Sequence, residues 1–393
     1  MYKNINSGLI ITLLIITTLI FASTATAVMS EETVNRWREG DLEEYQQLID
    51  EGEKINEEDL MGETPLMIAL EKNNNPEAIQ FLIDQGAEVN HTSDGNITPL
   101  MKASRHQDNP EIIRLLLDKN ARISARDGLQ NTPLMWAAAF NTSPEIIRIL
   151  IEAGANVNQT NQYGRTALSY VVEKSRDREL IDLFLEHGAD INAEDNDGYP
   201  PIFWAARENE DPEVLKHLIA RGAKEDYTTD RGENLLMAAA SKNSSPEIIT
   251  YLIDEFDFEL DSRDLRGWDA LEYALTHNSS SEIIKILLQK GASAAASEGK
   301  ERIPLKTAAI NTENPEIIEV LLENGAELET TDLSGRTPLT NAAWAGNIHT
   351  VPVLIEKGAD LYTEDDDGQS AYDYIKDKPI FQQTDYYEDI INE

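Results

Sequence analysis

The sequence predicts an all-α solenoid of about ten helix-turn-helix units joined by extended hairpin loops, preceded by an N-terminal signal segment. Three observations carry this expectation. The phrase NTSPEIIRILIEAGANVN at 141–158 recurs in near copies, NNNPEAIQFLIDQGAEVN at 73–90 and TENPEIIEVLLENGAELE at 312–329. The acidic residue of that phrase returns as Glu77, Glu111, Glu145, Glu179, Glu213, Glu247, Glu282 and Glu316, at steps of 34 with a single 35 after Glu247. A second mark, at Thr64, Thr98, Thr132, Thr166, Pro200, Asn234, Asp269, Ile303, Thr337 and Ser370, keeps the same register. Such periodicity marks stacked units, none of which can bury its apolar face alone.

The elements follow in order. MYKNINSG carries the single charge Lys3, an apolar run fills 9–21, and ASTATA follows. This is the layout of a secretory signal occupying 1–27, with cleavage expected after Ala27. The alternative is an uncleaved membrane anchor through 8–29, a stretch just long enough to span a bilayer. Either arrangement places the rest of the chain outside the cytoplasm, in the periplasm or secreted. Residues 28–61 read as a degenerate capping unit in which polar residues replace the apolar face. Residues 62–364 read as nine full repeats, and 365–393 as a shortened C-terminal cap.

Within one repeat, Thr132 is a helix N-cap and Pro133 takes the first helical position, where a missing N–H costs nothing. LMWAAAF continues that short helix. After a break, Ser143 is expected to cap a second helix opened by Pro144, with the Glu145 carboxylate at its positive end. Ile146, Ile147, Leu150 and Ile151 form one apolar stripe. Gly154 ends the helix in a left-handed conformation, and Asn120 is expected to serve there one unit earlier.

These marks (T-P-L, the paired alanines, E-I-I-x-x-L-L and G-A-x-V-N) resemble ankyrin repeats over about residues 30–390. GRTPLTNAAWAGNIHTVPVLIEKGADLYTEDDDG at 335–368 shows the likeness most fully. The resemblance implies a stacked helical fold that binds a protein partner with loop tips and the exposed side of each first helix. Three departures stand out. Met67, Met101, Met135 and Met237 replace the family's histidine with an apolar filler. Pro352 must lie in the first turn of its helix or kink it. Around 255–302 an inserted residue, a missing helix-ending glycine, Phe258 in an alanine slot and Ala294 in a valine slot suggest a looser or bent joint.

Composition narrows the function. With 33 basic against 72 acidic residues, a net charge of −39, the chain lacks the basic surface that nucleic acid or an anionic membrane requires. It has no cysteine, so disulfides and thiolate chemistry are excluded. The six histidines form no i, i+4 pair; His187 suits a helix C-terminus and His217 a half-buried place in the stripe. AEDNDGY at 193–199 and TEDDDGQ at 363–369 hint at calcium loops, but Trp204 and Tyr374 stand where a bidentate glutamate is required, so turn chemistry is the expected role. No catalytic, cofactor or metal residues are therefore assigned, and the chain is read as a non-enzymatic monomer. By register, Leu129, Phe140, Tyr163, Tyr199, Trp268, Leu333 and Trp344 fall where stacking does not demand apolar side chains, and they are the candidate partner-binding residues. Arg105, Arg165, Arg207 and Arg336 share the variable slots and are candidates to meet acids on a partner. Trp136 and Trp204 lie one slot deeper and are expected to be structural. The functional expectation is an exported protein-binding scaffold. The alternatives are an acidic, salt-adapted surface protein, or a periplasmic chaperone-like, immunity-like or host-directed factor.

Overall fold

Proline and threonine begin most of the helices, and the repeat spacing sets where each falls. A computed structural model describes residues 29–392 except 142, 257, 279 and 300. The signal segment expected at 1–27 lies outside the described residues, as does the alternative anchor except for its last residue. Among the described residues there are 22 α-helices and no strands, and no helix is long and apolar enough to cross a membrane.

The chain divides between Gln162 and Tyr163 into two compact units. The first holds α1 (Glu31–Glu39), α2 (Leu42–Asp50), α3 (Pro65–Ala69), α4 (Pro76–Asp84), α5 (Pro99–His106), α6 (Pro110–Asp118), α7 (Pro133–Phe140) and α8 (Pro144–Glu152). The second begins with α9 (Ala167–Lys174), α10 (Arg178–Glu186), α11 (Pro201–Glu208), α12 (Pro212–Ala220), α13 (Leu235–Lys242), α14 (Pro246–Glu255), α15 (Ala270–His277) and α16 (Ser281–Gln289). It continues through α17 (Pro304–Asn311), α18 (Glu316–Glu323), α19 (Pro338–Ala345), α20 (Thr350–Glu356), α21 (Ala371–Asp377) and α22 (Tyr387–Asn392), with a short 3₁₀ turn at Phe381–Gln383. Within each unit, first helices pack on first helices and second helices on second helices.

The core follows the sequence stripes. Ile146 and Leu150 of α8 are fully buried, as are Met67 and Met101; Met135 and Met237 are almost so. Thr132 caps α7 by accepting the Met135 N–H at 3.3 Å. Ser143 stands at the N-cap of α8, but its hydroxyl caps nothing. The Asn141 carboxamide oxygen instead accepts the Ser143 N–H at 2.8 Å, so the break itself holds the helix start. Gly154 (φ 95°) and Asn120 (φ 63°) both take the left-handed conformation. Pro352 falls in the first turn of α20. The polar-looking first helix pair buries Trp37, Tyr45 and Leu48 completely, and Phe381 does the same near the C-terminus.

Carboxamides tie consecutive repeats. A first helix leaves carbonyls at its C-terminal end without intrahelical partners. Asn141 donates to Ser104 O and Gln107 O, both at 2.9 Å. Asn209 donates to Val172 O and Ser175 O at 2.8 and 2.9 Å, and Asn243 to Ala206 O and Asn209 O at 2.7 and 2.8 Å. Asn347 repeats the contact on Ala309 O and Thr312 O. The asparagine of G-A-x-V-N does the same for second helices. Asn90 donates to Asn120 O at 2.9 Å and accepts the Arg122 N–H at 2.8 Å, and Asn192 matches it on Gly222 and Lys224.

In the segment 255–302, expected to be looser or bent, the described residues are packed. Phe256 packs edge-on against Tyr251 and beside Phe258, and helices α14 and α16, then α15 and α17, remain in contact. Arg302 is 4 % exposed and donates to Ala295 O at 2.9 Å and Ser293 O at 2.6 Å. Its Nε lies 2.5 Å from Asp269 and 3.9 Å from the buried Glu272. One guanidinium thus replaces the turn residues missing from this loop. Burial pushes the Asp269 and Glu272 carboxyls above their ordinary values, although the Arg302 charge pulls both the other way.

Two outcomes follow from this packing. Asn243→Ala, which strips two buried carbonyls of their donor, should destabilise the chain by about 3 kcal/mol, at roughly 1–3 kcal/mol per orphaned group, read from the urea midpoint. Glu272→Gln should stabilise it at neutral pH. A carboxyl raised in the folded state penalises folding while ionised, and that penalty fades as pH falls through the folded pKa. The advantage of Glu272→Gln should accordingly be larger at pH 7 than at pH 4, checked by urea unfolding at both values.

Candidate functional site

Many of the hairpin loops are built on a carboxylate that gathers backbone N–H groups, and the hydroxyls of Thr229 and Ser297 take that place in two others. Asp127 Oδ1 accepts from Leu129 N at 2.9 Å and Asn131 N at 2.7 Å. Asp195, Asp264, Asp332 and Asp365 make the same pair of contacts two and four residues ahead. Their second oxygens are met from the first helix. Trp136 Nε1 donates to Asp127 at 2.9 Å, Trp204 Nε1 to Asp195 at 3.1 Å, and the Tyr374 hydroxyl to Asp365 at 3.0 Å. Asn341 fills this place opposite Asp332. Burial pushes the carboxyls of Asp264, Asp332 and Asp365 up, but the converging N–H, hydroxyl and cationic donors outweigh it and hold all three below their ordinary value. The aspartates of AEDNDGY and TEDDDGQ are thus turn builders, and Trp136 and Trp204 are structural ties.

Loop tips connect along each unit by backbone bonds. In the first, Asp94 N donates to Met61 O at 3.0 Å and Gln162 N to Leu129 O at 2.9 Å; in the second, Asn196 N donates to Tyr163 O at 3.0 Å. The last contact needs Gly164, because a Cβ there would lie 2.6 Å from Asn196 N.

On this frame, in each unit taken by itself, arginines lie over aromatic rings. In the first unit the Arg105 guanidinium lies 4.5 Å from the Phe140 ring centroid and 5.6 Å from Trp136. In the second, Arg165 lies 4.0 Å from Tyr170 and 3.8 Å from Trp204. Arg266 lies 4.3 Å from Trp268, and Arg336 5.0 Å from Trp344. Each such stack holds a long cation flat against an amphipathic ring.

The candidate partner residues divide by exposure. Leu129, Phe140, Tyr163, Leu333 and Trp344 are exposed, from 46 % for Leu129 and Trp344 to 74 % for Leu333. Tyr199 and Trp268 are half-buried. The Tyr199 hydroxyl donates to Glu233 Oε2 at 2.5 Å, and Trp268 meets Tyr273 edge-on. The arginines also divide. Arg165 is paired to Glu173 at 2.6 Å and Arg336 to Asp365 at 3.1 Å, so internal acids hold both. Arg207 makes no hydrogen bond among the described residues, and its Nε is buried. His217 is satisfied by Asp182 at 2.8 Å, and His187 Nδ1 sits 2.9 Å from Leu183 O at its helix end.

A cleft of about 400 Å³ opens in the second unit between α11, α13 and α15. Tyr199, Phe203, Trp204 and Tyr273 give it aromatic walls; Arg207, Lys242, Arg266, Glu233 and His277 supply its charged and titratable groups.

Against known families, a family profile described as "Ankyrin repeats (3 copies)" matches residues 37–127, 125–195, 202–298 and 295–365. The chain belongs to the ankyrin-repeat family. A search among curated proteins gave no match. Ankyrin repeats in general mediate protein–protein interaction, and the family is generally a non-catalytic scaffold.

Reading this ankyrin chain from sequence missed Arg266, Lys242, Tyr170, Tyr273 and Tyr374. The signal was present. Tyr170, Tyr273 and Tyr374 occupy the register slot of Trp136 and Trp204, four residues after Thr166, Asp269 and Ser370. Frame and stripe should separate on substitution. Trp204→Phe, which deprives Asp195 of its donor, should destabilise by about 1–2 kcal/mol, whereas Trp344→Ala at the exposed stripe should stay within roughly 0.5 kcal/mol. Denaturant midpoints of the two variants test this.

Proposed function

We propose that this chain is an exported, non-catalytic scaffold that binds a protein partner through the arginine–aromatic stripe that the loop tips and first helices form within each unit. The observation that carries the reading is the exposure of Leu129, Phe140, Tyr163, Leu333 and Trp344, large apolar side chains at positions where the repeat framework does not use them. Aromatic and arginine side chains are enriched among the residues that dominate interface energies. Rings held under guanidinium groups lose little conformational freedom on binding, which lowers the entropic cost of association. The partner is a protein whose contacting surface combines apolar side chains with acceptors for arginine. Export rests on the positively charged start, apolar run and small residues of 1–27. The net charge of −39 disfavours nucleic acid and anionic lipid as targets.

The test is capture of a stoichiometric partner from the native envelope fraction, repeated with Phe140→Ala plus Trp344→Ala. The double variant should keep its helical circular dichroism and weaken capture at least about tenfold, about 1.4 kcal/mol. Undiminished affinity in the folded variant would show that the stripe is not the binding face.

A further inference from the structure

The cleft between α11, α13 and α15 is unusual in how its polar groups are committed. Its acids are fully engaged. Glu233 accepts from Tyr199 at 2.5 Å on one oxygen, and from Tyr273 at 2.6 Å and Arg266 at 3.3 Å on the other. Asp264, just behind, accepts from two backbone N–H groups on Oδ1 and from Arg266 at 2.9 Å on Oδ2, which shares the single Tyr273 hydroxyl proton, 2.9 Å away, with Glu233. Glu208 at the rim is held by Lys242 at 2.7 Å.

The donors are not. Arg207 projects into the cleft beside the Trp204 ring, 5.8 Å from its centroid. Its side chain makes no hydrogen bond among the described residues, and its nearest acid is the adjacent Glu208 at 3.5 Å, itself taken by Lys242. The His277 ring lies tilted beside Trp268 and Tyr273, 5.9 and 6.3 Å between centroids, and makes no hydrogen bond among the described residues. A buried guanidinium nitrogen without an acceptor is costly, and its cost is relieved by a guest that brings acceptors. A cationic guest would find no acid free to receive it. The aromatic walls favour a flat apolar body beside the charge, and the volume of about 400 Å³ suits a small ligand or one or two side chains rather than a folded surface.

We propose that this cleft binds a carboxylate carried next to a flat apolar group, with the Arg207 guanidinium as its anchor and Lys242 and His277 as secondary donors. Such a group reaches the cleft either on a peptide, as an acidic residue beside an aromatic one, or as a free small aromatic acid. Partner capture by the stripe and carboxylate binding by the cleft are separable, because Phe140 and Trp344 do not line the cleft and Arg207 does.

Isothermal titration of the full chain with indole-3-propionate and with an acetylated, amidated Gly-Glu-Phe-Gly peptide tests the assignment. The controls are indole-3-propionamide and the matching Gly-Gln-Phe-Gly peptide. At least one carboxylate should bind, with its amide counterpart weaker by about tenfold or more, as expected for a charge-assisted contact. Tighter binding of the peptide assigns a peptide guest, and tighter binding of the free acid assigns a small molecule. Arg207→Gln should lower affinity about tenfold and Arg207→Lys should restore part of it; Lys242→Gln should cost about threefold. Arg207 carries no internal hydrogen bond, so its variants should retain the parent circular dichroism. Equal binding of acid and amide, no binding of either acid at millimolar concentration, or an unchanged affinity in folded Arg207→Gln overturns the proposal.

Discussion

The packing of this chain depends on one recurring interaction, the carboxamide that joins the end of a first helix to the repeat before it. A short helix cannot satisfy its own last carbonyls, and stacking buries them where water cannot substitute. Asn141, Asn209, Asn243 and Asn347 each place an Nδ2 against two such carbonyls. The Oδ1 of Asn141, Asn209 and Asn243 accepts an N–H two residues ahead and so shapes the break before the next helix. One side chain therefore fixes both the turn within a repeat and the distance between repeats. Apolar burial supplies the driving force, but it is non-directional; the carboxamides supply the register.

The same division explains how much was legible in the sequence. Helix positions, the left-handed Asn120 and Gly154, and the first-turn Pro352 are local consequences of cap and turn chemistry, and the repeat spells them out many times. Ser143 takes the N-cap position, but its hydroxyl makes no cap bond, whereas Ser280 at the matching place both donates its N–H to Asn278 and caps its helix. The packing of the described residues at 255–302 was hidden for a different reason. Missing turn residues were visible, but the compensation comes from Arg302 reaching back to Ser293, Ala295 and Asp269, a contact that no local pattern encodes. At the candidate site, register found the exposed Phe140 and Trp344 but not the cleft. Glu233, Arg266 and Tyr273 acquire meaning only when three successive loops are laid side by side.

Charge is distributed with a corresponding logic. Surface acids give the chain its net −39, and many pair with cations a repeat away, as Lys242 does with Glu208 and Arg114 with Glu145. Exposed pairs of this kind contribute roughly 0–1 kcal/mol each and do not hold the stack together. Cations along the first helices instead lie over aromatic rings. Against so acidic a background, the uncommitted Arg207 is a local inversion of sign at the point where the first helices form a cleft.

Amide hydrogen exchange on Asn209→Leu addresses the carboxamide account most directly, because Asn209 reaches Val172 O and Ser175 O across the repeat boundary. If the carboxamides set the register, protection should fall together in the helices Ala167–Lys174 and Pro201–Glu208, on both sides of the lost contact. Loss confined to the turn at 209–211, with both helices as protected as in the parent chain, would contradict it.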